Sequence, residues 1–251
     1  MAEKARGDDP LDPLDRALDA ALGRVPSDEA LVVLVSGGVD SGLLAWELRG
    51  RSPLVLATFG LPGSADPVAA RRAAVLLHLP FYEQRATPKD VLTMRERLIE
   101  WVGPLSATEA SIETAMALAI QTAPTGLLVC GQGADELFFG YAHYRGLPFR
   151  SAEARAESDL ARLRDLAWPR TQRVARELGR RIVAPYLDPE FVDAARAISS
   201  AERFRSDPVK ALFRSWARRR GVPEEIALRP KKALQYGSGV DRLLKKASRR
   251  P

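Results

Sequence analysis

Residues 31–41 read Leu-Val-Val-Leu-Val-Ser-Gly-Gly-Val-Asp-Ser, and this stretch indicates the fold. The apolar run 31–35 predicts a buried strand, and residues 42–49 predict the helix that follows. Two glycines in the turn allow tight folding and direct backbone N–H groups at an anion, and two serines add hydroxyl donors. These four residues are Ser36, Gly37, Gly38 and Ser41.

Asp40 is the unusual member of this loop, because a carboxylate repels a bare phosphate. A cation such as Mg²⁺ between the two groups removes that repulsion. The loop matches neither Gly-x-x-x-x-Gly-Lys-Ser/Thr nor Gly-x-Gly-x-x-Gly, the two common phosphate loops. We therefore expect a nucleotide phosphate site that also binds a metal. The alternative is a tight strand-to-helix turn with chance glycines.

A second motif follows the apolar run 126–130, which predicts another buried strand. Residues 131–144 read Gly-Gln-Gly-Ala-Asp-Glu-Leu-Phe-Phe-Gly-Tyr-Ala-His-Tyr. The adjacent acids Asp135 and Glu136 stand at a strand end, where carboxylates can ligate a metal. The alternative is a solvated acidic turn that opens a helix, since acids favour first turns.

Both motifs resemble those of a known family. The string Ser-Gly-Gly-x-Asp-Ser resembles the pyrophosphate loop of the N-type ATP pyrophosphatases, which cleave ATP between its α and β phosphates. The second motif resembles the Gly-Glu-Gly-Ser/Ala-Asp-Glu-Leu-Phe-Gly-Gly-Tyr string of the asparagine synthetase domain. Segments 184–188, 210–214 and 222–239 resemble further family motifs in the same order, so the resemblance covers most of the chain.

The resemblance implies ATP and Mg²⁺ as cofactors and assigns a role to each matching residue. Asp40 and Asp135 would ligate Mg²⁺, with Glu136 close by. Lys210 and Lys231 would neutralise the leaving pyrophosphate, whose charge grows in the transition state. The phosphate loop would cradle the pyrophosphate, and three further positions would contact adenosine: Val35, Thr58 and Gly131.

The chain departs from the family pattern in three places. The resemblance does not include a glutaminase, so we expect free ammonia, another nucleophile or a separate glutaminase subunit. Gln132 replaces the family glutamate that handles protons as ammonia attacks, and an amide cannot act as a base. The segment 105–116 lacks the family Arg-x-Ser, which leaves the acceptor open.

Composition is consistent with a cytoplasmic enzyme. The 251 residues suffice for one α/β domain with a helical lobe, and the single Cys130 excludes intrachain disulfides. Residues 1–10 do not read as a signal peptide, and no apolar run is long enough to span a membrane. The net charge of +6 leaves RNA open as a partner. A phosphate-binding site accounts for the same basic residues. A homodimer also stays open.

Strand and helix patterns alternate through the first 150 residues and become almost wholly helical afterwards. This layout predicts an α/β fold with a doubly wound parallel sheet and a helical C-terminal lobe. By the resemblance, it is Rossmann-like and of the adenine nucleotide alpha hydrolase type. Strand order 3-2-1-4 would bring both motifs to one switch point. We divide the chain into an N-terminal helix, an ATP pyrophosphatase core and a helical part completing the site, at residues 1–25, 26–150 and 151–251.

The leading functional hypothesis is an ATP-dependent, AMP-forming ligase. It would adenylate a carboxylate, with aspartate as the first candidate, for attack by ammonia. The runner-up is an ATP pyrophosphatase that adenylates an RNA base for modification. A third hypothesis is a nucleotide-binding regulatory protein without catalysis.

Overall fold

The computed structural model describes residue 9 and residues 11–51, 53–204, 209–230 and 233–248. Within these ranges, one parallel sheet has the order β3-β2-β1-β4-β5. The strands are β1 Leu31–Leu34, β2 Leu54–Gly60, β3 Phe81–Arg85, β4 Leu127–Val129 and β5 Ile182–Val183. The predicted order 3-2-1-4 is therefore confirmed, with one more strand beside β4.

The α-helices of the described ranges lie between and after these strands. They are α1 Asp12–Gly23, α2 Val39–Leu48, α3 Asp66–Leu77, α4 Pro88–Val102, α5 Ala107–Thr122, α6 Ala134–Leu137, α7 Phe149–Arg162, α8 Trp168–Glu177, α9 Pro189–Ala197, α10 Ser200–Arg203, α11 Ala211–Arg219, α12 Glu224–Ala227, α13 Leu234–Gly237 and α14 Val240–Ala247. Short 3-10 turns occur at Ala142–Tyr144 and Pro185–Leu187, and a π turn at Leu163–Ala167 joins α7 to α8.

Helices cover both faces of the sheet. Alternate residues of the central strand β1 point to opposite faces, so each face packs against its own set of helices. Leu31 and Val33 belong to a buried cluster with residues of α1, α2, α3, α9 and α11. Val32 belongs to a second cluster with residues of α5 and α8. The result is the α/β/α layering that the strand-helix alternation predicts.

Two local features differ from the sequence predictions. Helix α2 begins at Val39 instead of Gly42, because Gly38 already has the extended backbone of an N-cap residue. Asp40 and Ser41 therefore lie in the first helical turn. Strand β5 falls in the segment predicted to be almost wholly helical, and its two residues are too few to leave a periodic signal. The division at residues 25 and 150 stays a prediction.

Helix α5 buries an acid outside the two motifs. Glu113 is 4% exposed, and its Oε1 lies 3.4 Å from Arg170 Nη1. Burial penalises the charged form and raises the pKa of Glu113 from 4.5 to about 7. The folded protein thus keeps this proton at pH values where the unfolded chain has lost it. Stability consequently decreases as pH rises from about 4.5 to about 7.

We expect Glu113→Gln to remove this pH dependence and to gain about 3 kcal/mol at pH 8, because the variant has no carboxyl group to ionise inside the protein. Urea unfolding at pH 5 and pH 8 would measure it. Glu109 is the matched contrast, because it shares Arg170 while its hydrogen bond from Ser106 lowers its pKa to about 2. Glu109→Gln should instead lose stability at pH 8. Equal pH profiles for wild type and Glu113→Gln would contradict the prediction.

Candidate active site

The phosphate loop joins the carboxyl end of β1 to α2. Gly37 has a φ of +77°, a backbone conformation that glycine adopts without a Cβ penalty. A Cβ at this position would lie 2.5 Å from the backbone carbonyl carbon of Ala69. At the base of the loop, the Val35 N–H donates to the Ala57 carbonyl at 2.8 Å. The loop is therefore fitted tightly between β2 and α3.

Asp40 and Asp135 meet at one ammonium group. Asp40 follows β1 and Asp135 follows β4, and these strands are neighbours in the sheet. Lys210 Nζ donates to Asp40 Oδ1 at 2.6 Å and forms an ion pair with Asp135 Oδ1 at 2.6 Å. The two acids are thus brought together, although they are far apart in sequence.

Lys210 is held inside the protein just before α11. Its side chain is fully buried, and its backbone has a left-handed φ of 60°. Burial lowers the pKa of Lys210 below its ordinary value of 10.5, and Asp40 opposes that shift. In the structure this ammonium pairs with the two carboxylates, and its predicted role beside a leaving pyrophosphate stays a prediction.

Glu136 is buried beside the same group. It is 6% exposed, and Tyr141 donates its hydroxyl hydrogen to Glu136 Oε1 at 2.5 Å. Burial raises the pKa of Glu136 above its ordinary value of 4.5, which the hydrogen bond from Tyr141 partly offsets. Nearby, Gln132 Oε1 is buried without a hydrogen-bond partner among the residues that the structure describes.

The two motif loops pack directly against each other. A Cβ on Gly131 would lie 3.1 Å from the Cβ of Asp40, so glycine allows this close approach. Tyr186 donates its hydroxyl hydrogen to the Asp40 carbonyl at 2.8 Å. Thr58, in contrast, is buried within β2, while Val35 and Gly131 follow the ends of their strands.

The C-terminal segment contacts the phosphate loop through Arg229, a contact that the sequence analysis missed. Arg229 Nη1 donates to the Ser36 carbonyl at 2.7 Å, and Arg214 Nη1 donates to the Arg229 carbonyl at 2.9 Å. The sequence feature that could have indicated Arg229 is the resemblance to the family Arg-x-Lys motif. That resemblance assigned a role to Lys231 alone. Lys231 itself lies outside the described residues, so its predicted role stays a prediction.

Helix α5 begins within the segment that lacks the family Arg-x-Ser. Ser106 caps the helix and forms a reciprocal capping box with Glu109. Ser111 Oγ donates to Asp241 Oδ1 at 3.3 Å. Ser106 thus contacts its own helix, whereas Ser111 contacts a residue of α14.

The described ranges bear on two other expectations, a membrane span and a metal cluster. None of their helices combines the length and the apolar character that crossing a bilayer requires. Those ranges also hold no cluster of three or more His, Cys, Asp or Glu side chains suited to a metal.

The sheet order and the site together define an α/β protein of the adenine nucleotide alpha hydrolase fold, with a PP-loop at the end of β1. The family model described as asparagine synthase matches residues 13–184 and 181–250. The chain therefore belongs to the asparagine synthase family.

Curated relatives carry the same family name. The chain is 28% identical over 256 residues to an asparagine synthetase [glutamine-hydrolyzing] of Sandersonia aurantiaca, covering 92% of this chain and 48% of that one. It is 27% identical over 249 residues to that of Asparagus officinalis, covering 88% and 41%. The chain thus spans about half the length of the curated relatives that it matches.

Solved structures superpose on the chain with low TM-scores. One is the NH3-dependent NAD synthetase of Campylobacter jejuni, at 15% identity and a TM-score of 0.36, covering 78% of this chain and 96% of that one. Another is the NMN synthetase of Francisella tularensis, at 13% identity and a TM-score of 0.35, covering 90% and 100%.

Proposed function

We propose that this chain is an ATP-dependent, AMP-forming amide ligase that adenylates a carboxylate, aspartate first among the candidates, for attack by ammonia. The observation that carries the proposal is the convergence of Asp40 and Asp135 on one cation, beside the phosphate loop. Both acids come from motifs that resemble those of the synthetase domain. Membership in the asparagine synthase family supports the same reaction class.

The two acids fit a Mg²⁺ ion that arrives with ATP. Magnesium is commonly held in proteins by one or two carboxylates together with substrate phosphates. Bound there, it would supply positive charge to the phosphate oxygens. Asp40 and Asp135, which approach the same ammonium group, would hold it.

In the first half-reaction, a substrate carboxylate oxygen attacks the α-phosphorus of ATP and pyrophosphate leaves. The Ser36 and Ser41 hydroxyls and the N–H groups of the loop would hold the departing group, aided by the N-terminus of α2. Lys231 would neutralise its charge. Arg229 would help to position the loop, since it donates to the Ser36 carbonyl.

In the second half-reaction, ammonia attacks the acyl-adenylate and AMP leaves. The attacking nitrogen must lose a proton, and Gln132 cannot accept one. That proton would pass to the departing AMP phosphate or to water, and we infer that the nitrogen donor is free ammonia, from solution or from a separate glutaminase subunit. Both the glutaminase and a homodimer stay predictions.

Exchange of labelled pyrophosphate into ATP would test the adenylation. We expect exchange that depends on Mg²⁺ and on an added amino acid, with aspartate the most effective in a panel that includes glutamate. Exchange that requires tRNA and ignores every free acid would favour base modification instead. A protein that binds ATP and gives no exchange with any acceptor would overturn the adenylation proposal.

A single substitution probes the second half-reaction. We expect Gln132→Glu to increase ammonium-dependent amide formation about tenfold or more, because general base catalysis contributes about 10²–10⁴-fold. Pyrophosphate exchange should stay near the wild-type rate. Product formation with added ammonium chloride, followed by chromatography, would measure the change.

The control for this substitution is Gln121→Glu, which adds the same charge at an exposed position on α5. It should leave amide formation unchanged. Equal amide formation by wild type and Gln132→Glu would show that the absent carboxylate does not limit the second half-reaction.

A further inference from the structure

Lys210 occupies the place between the two carboxylates that the proposed function gives to Mg²⁺. Its ammonium lies 2.6 Å from Asp40 Oδ1 and 2.6 Å from Asp135 Oδ1. The side chain of Lys210 is fully buried, whereas the two acids keep 18% and 17% of their side-chain surface exposed. The ammonium therefore stands behind the carboxylates, which face the side open to solvent.

The surroundings are shaped for this ammonium. A Cβ on Gly140 would overlap both the Asp135 carboxylate and the Cε of Lys210, so the glycine leaves room for them. The centroid of the Phe213 ring lies 5.3 Å from Lys210 Nζ. The two carboxylates and the space left by Gly140 thus form a binding site for the buried ammonium. A buried charge is stable only when it is paired in this way.

Ammonium and Mg²⁺ compete for the same two carboxylates. Magnesium binds oxygen at about 2.1 Å, closer than an ammonium does, and so draws its ligands inward. Placed beside the ammonium, it would also bring more positive charge than the two carboxylates carry. The phosphates of ATP supply the negative charge that relieves this repulsion.

We propose that Lys210 is a resident cation, which holds Asp40 and Asp135 together until a metal-nucleotide complex arrives and displaces its ammonium. The inference rests on the proposed function for the identity of the incoming complex. It adds an order of binding, in which the metal enters with the nucleotide and not before it. Lysine suits the role, because its ammonium is a point charge on a flexible stem.

Mn²⁺, which reports by electron paramagnetic resonance, can stand in for Mg²⁺ in a titration without nucleotide. We expect no stoichiometric Mn²⁺ complex for the wild type in the sub-millimolar range. Lys210→Met, which keeps the length and removes the charge, should bind one Mn²⁺ at least tenfold more tightly. Its melting temperature should be lower than that of wild type and should rise on adding Mn²⁺.

Two variants control the titration. Lys210→Met/Asp135→Asn should lose the gain in Mn²⁺ binding, since one of the two ligands is gone. Lys245→Met removes a lysine that pairs with Asp241 at 2.9 Å on the surface, and it should show no gain. Equal Mn²⁺ affinity in wild type and Lys210→Met would overturn the proposal.

If Lys210→Met does not fold, the Mn²⁺ titration of the wild type tests the proposal by itself. An Mn²⁺ complex that forms without nucleotide, and that Asp135→Asn abolishes, would overturn the proposal, because metal and ammonium would then coexist. An Asp135-dependent complex that forms only with a non-hydrolysable ATP analogue would support it. The titration contains no acceptor and measures no turnover, so a failure of pyrophosphate exchange leaves its outcome unaffected.

Discussion

Asp40→Asn is expected to lower Mg-ATP turnover on the order of 10³-fold, because a neutral amide cannot hold the metal that carries the phosphate charge. The loss should appear in pyrophosphate exchange at saturating ATP and acceptor, where weaker binding does not obscure it. Raising the magnesium concentration should restore little, since the amide is a poor metal ligand. Initial exchange rates over a range of magnesium concentrations would measure both effects.

The same substitution also removes a partner of Lys210, so stability is the necessary control. Lys210 keeps its ion pair with Asp135, and we expect a cost of about 1–3 kcal/mol with the fold retained. Glu47→Gln is the matched variant, since Glu47 lies on the same helix, is 16% exposed and pairs with Arg220 at 2.8 Å. Similar exchange rates for both variants would contradict the assignment of Asp40 to the metal.

Gly37→Ala is expected to lose both stability and exchange activity. A left-handed conformation costs about 1–2 kcal/mol for a residue with a Cβ. The new methyl group would also contact the backbone of Ala69, 2.5 Å away, and a helix backbone does not move aside as a flexible side chain does. The loop must shift, and a displacement of about 1 Å in a binding element can reduce turnover about 10²-fold. Urea unfolding and pyrophosphate exchange would report the two losses.

Gly38→Ala provides the neighbouring control for stability. Gly38 has a φ of −86°, and its added Cβ would lie 3.6 Å from Ser36 Oγ, an ordinary contact distance. Its unfolding free energy should remain within about 1 kcal/mol of wild type. If Gly37→Ala proved as stable as Gly38→Ala, the fit of the loop against α3 would be wrong.

The sequence by itself determined the strands that carry the site. Short apolar runs bounded by glycine predict β1 and β4, and alternation with helices predicts their parallel pairing. The side chains at the ends of neighbouring parallel strands then share one edge of the sheet. For this reason the meeting of Asp40 and Asp135 could be expected from two motifs far apart in the chain.

Only the tertiary structure placed Lys210 and Arg229. Each lies in the C-terminal third of the chain, yet Lys210 contacts Asp40 in the first turn of α2 and Arg229 contacts Ser36 in the loop after β1. Periodicity describes neighbours along one helix or strand and holds no information about which distant segments meet. Read locally, a lysine before a helix and an arginine in a loop indicate solvent-exposed charges. The burial of Lys210 between two carboxylates arises from packing, which brings α11 against α2 and the ring of Phe213 against that of Phe138, just after α6.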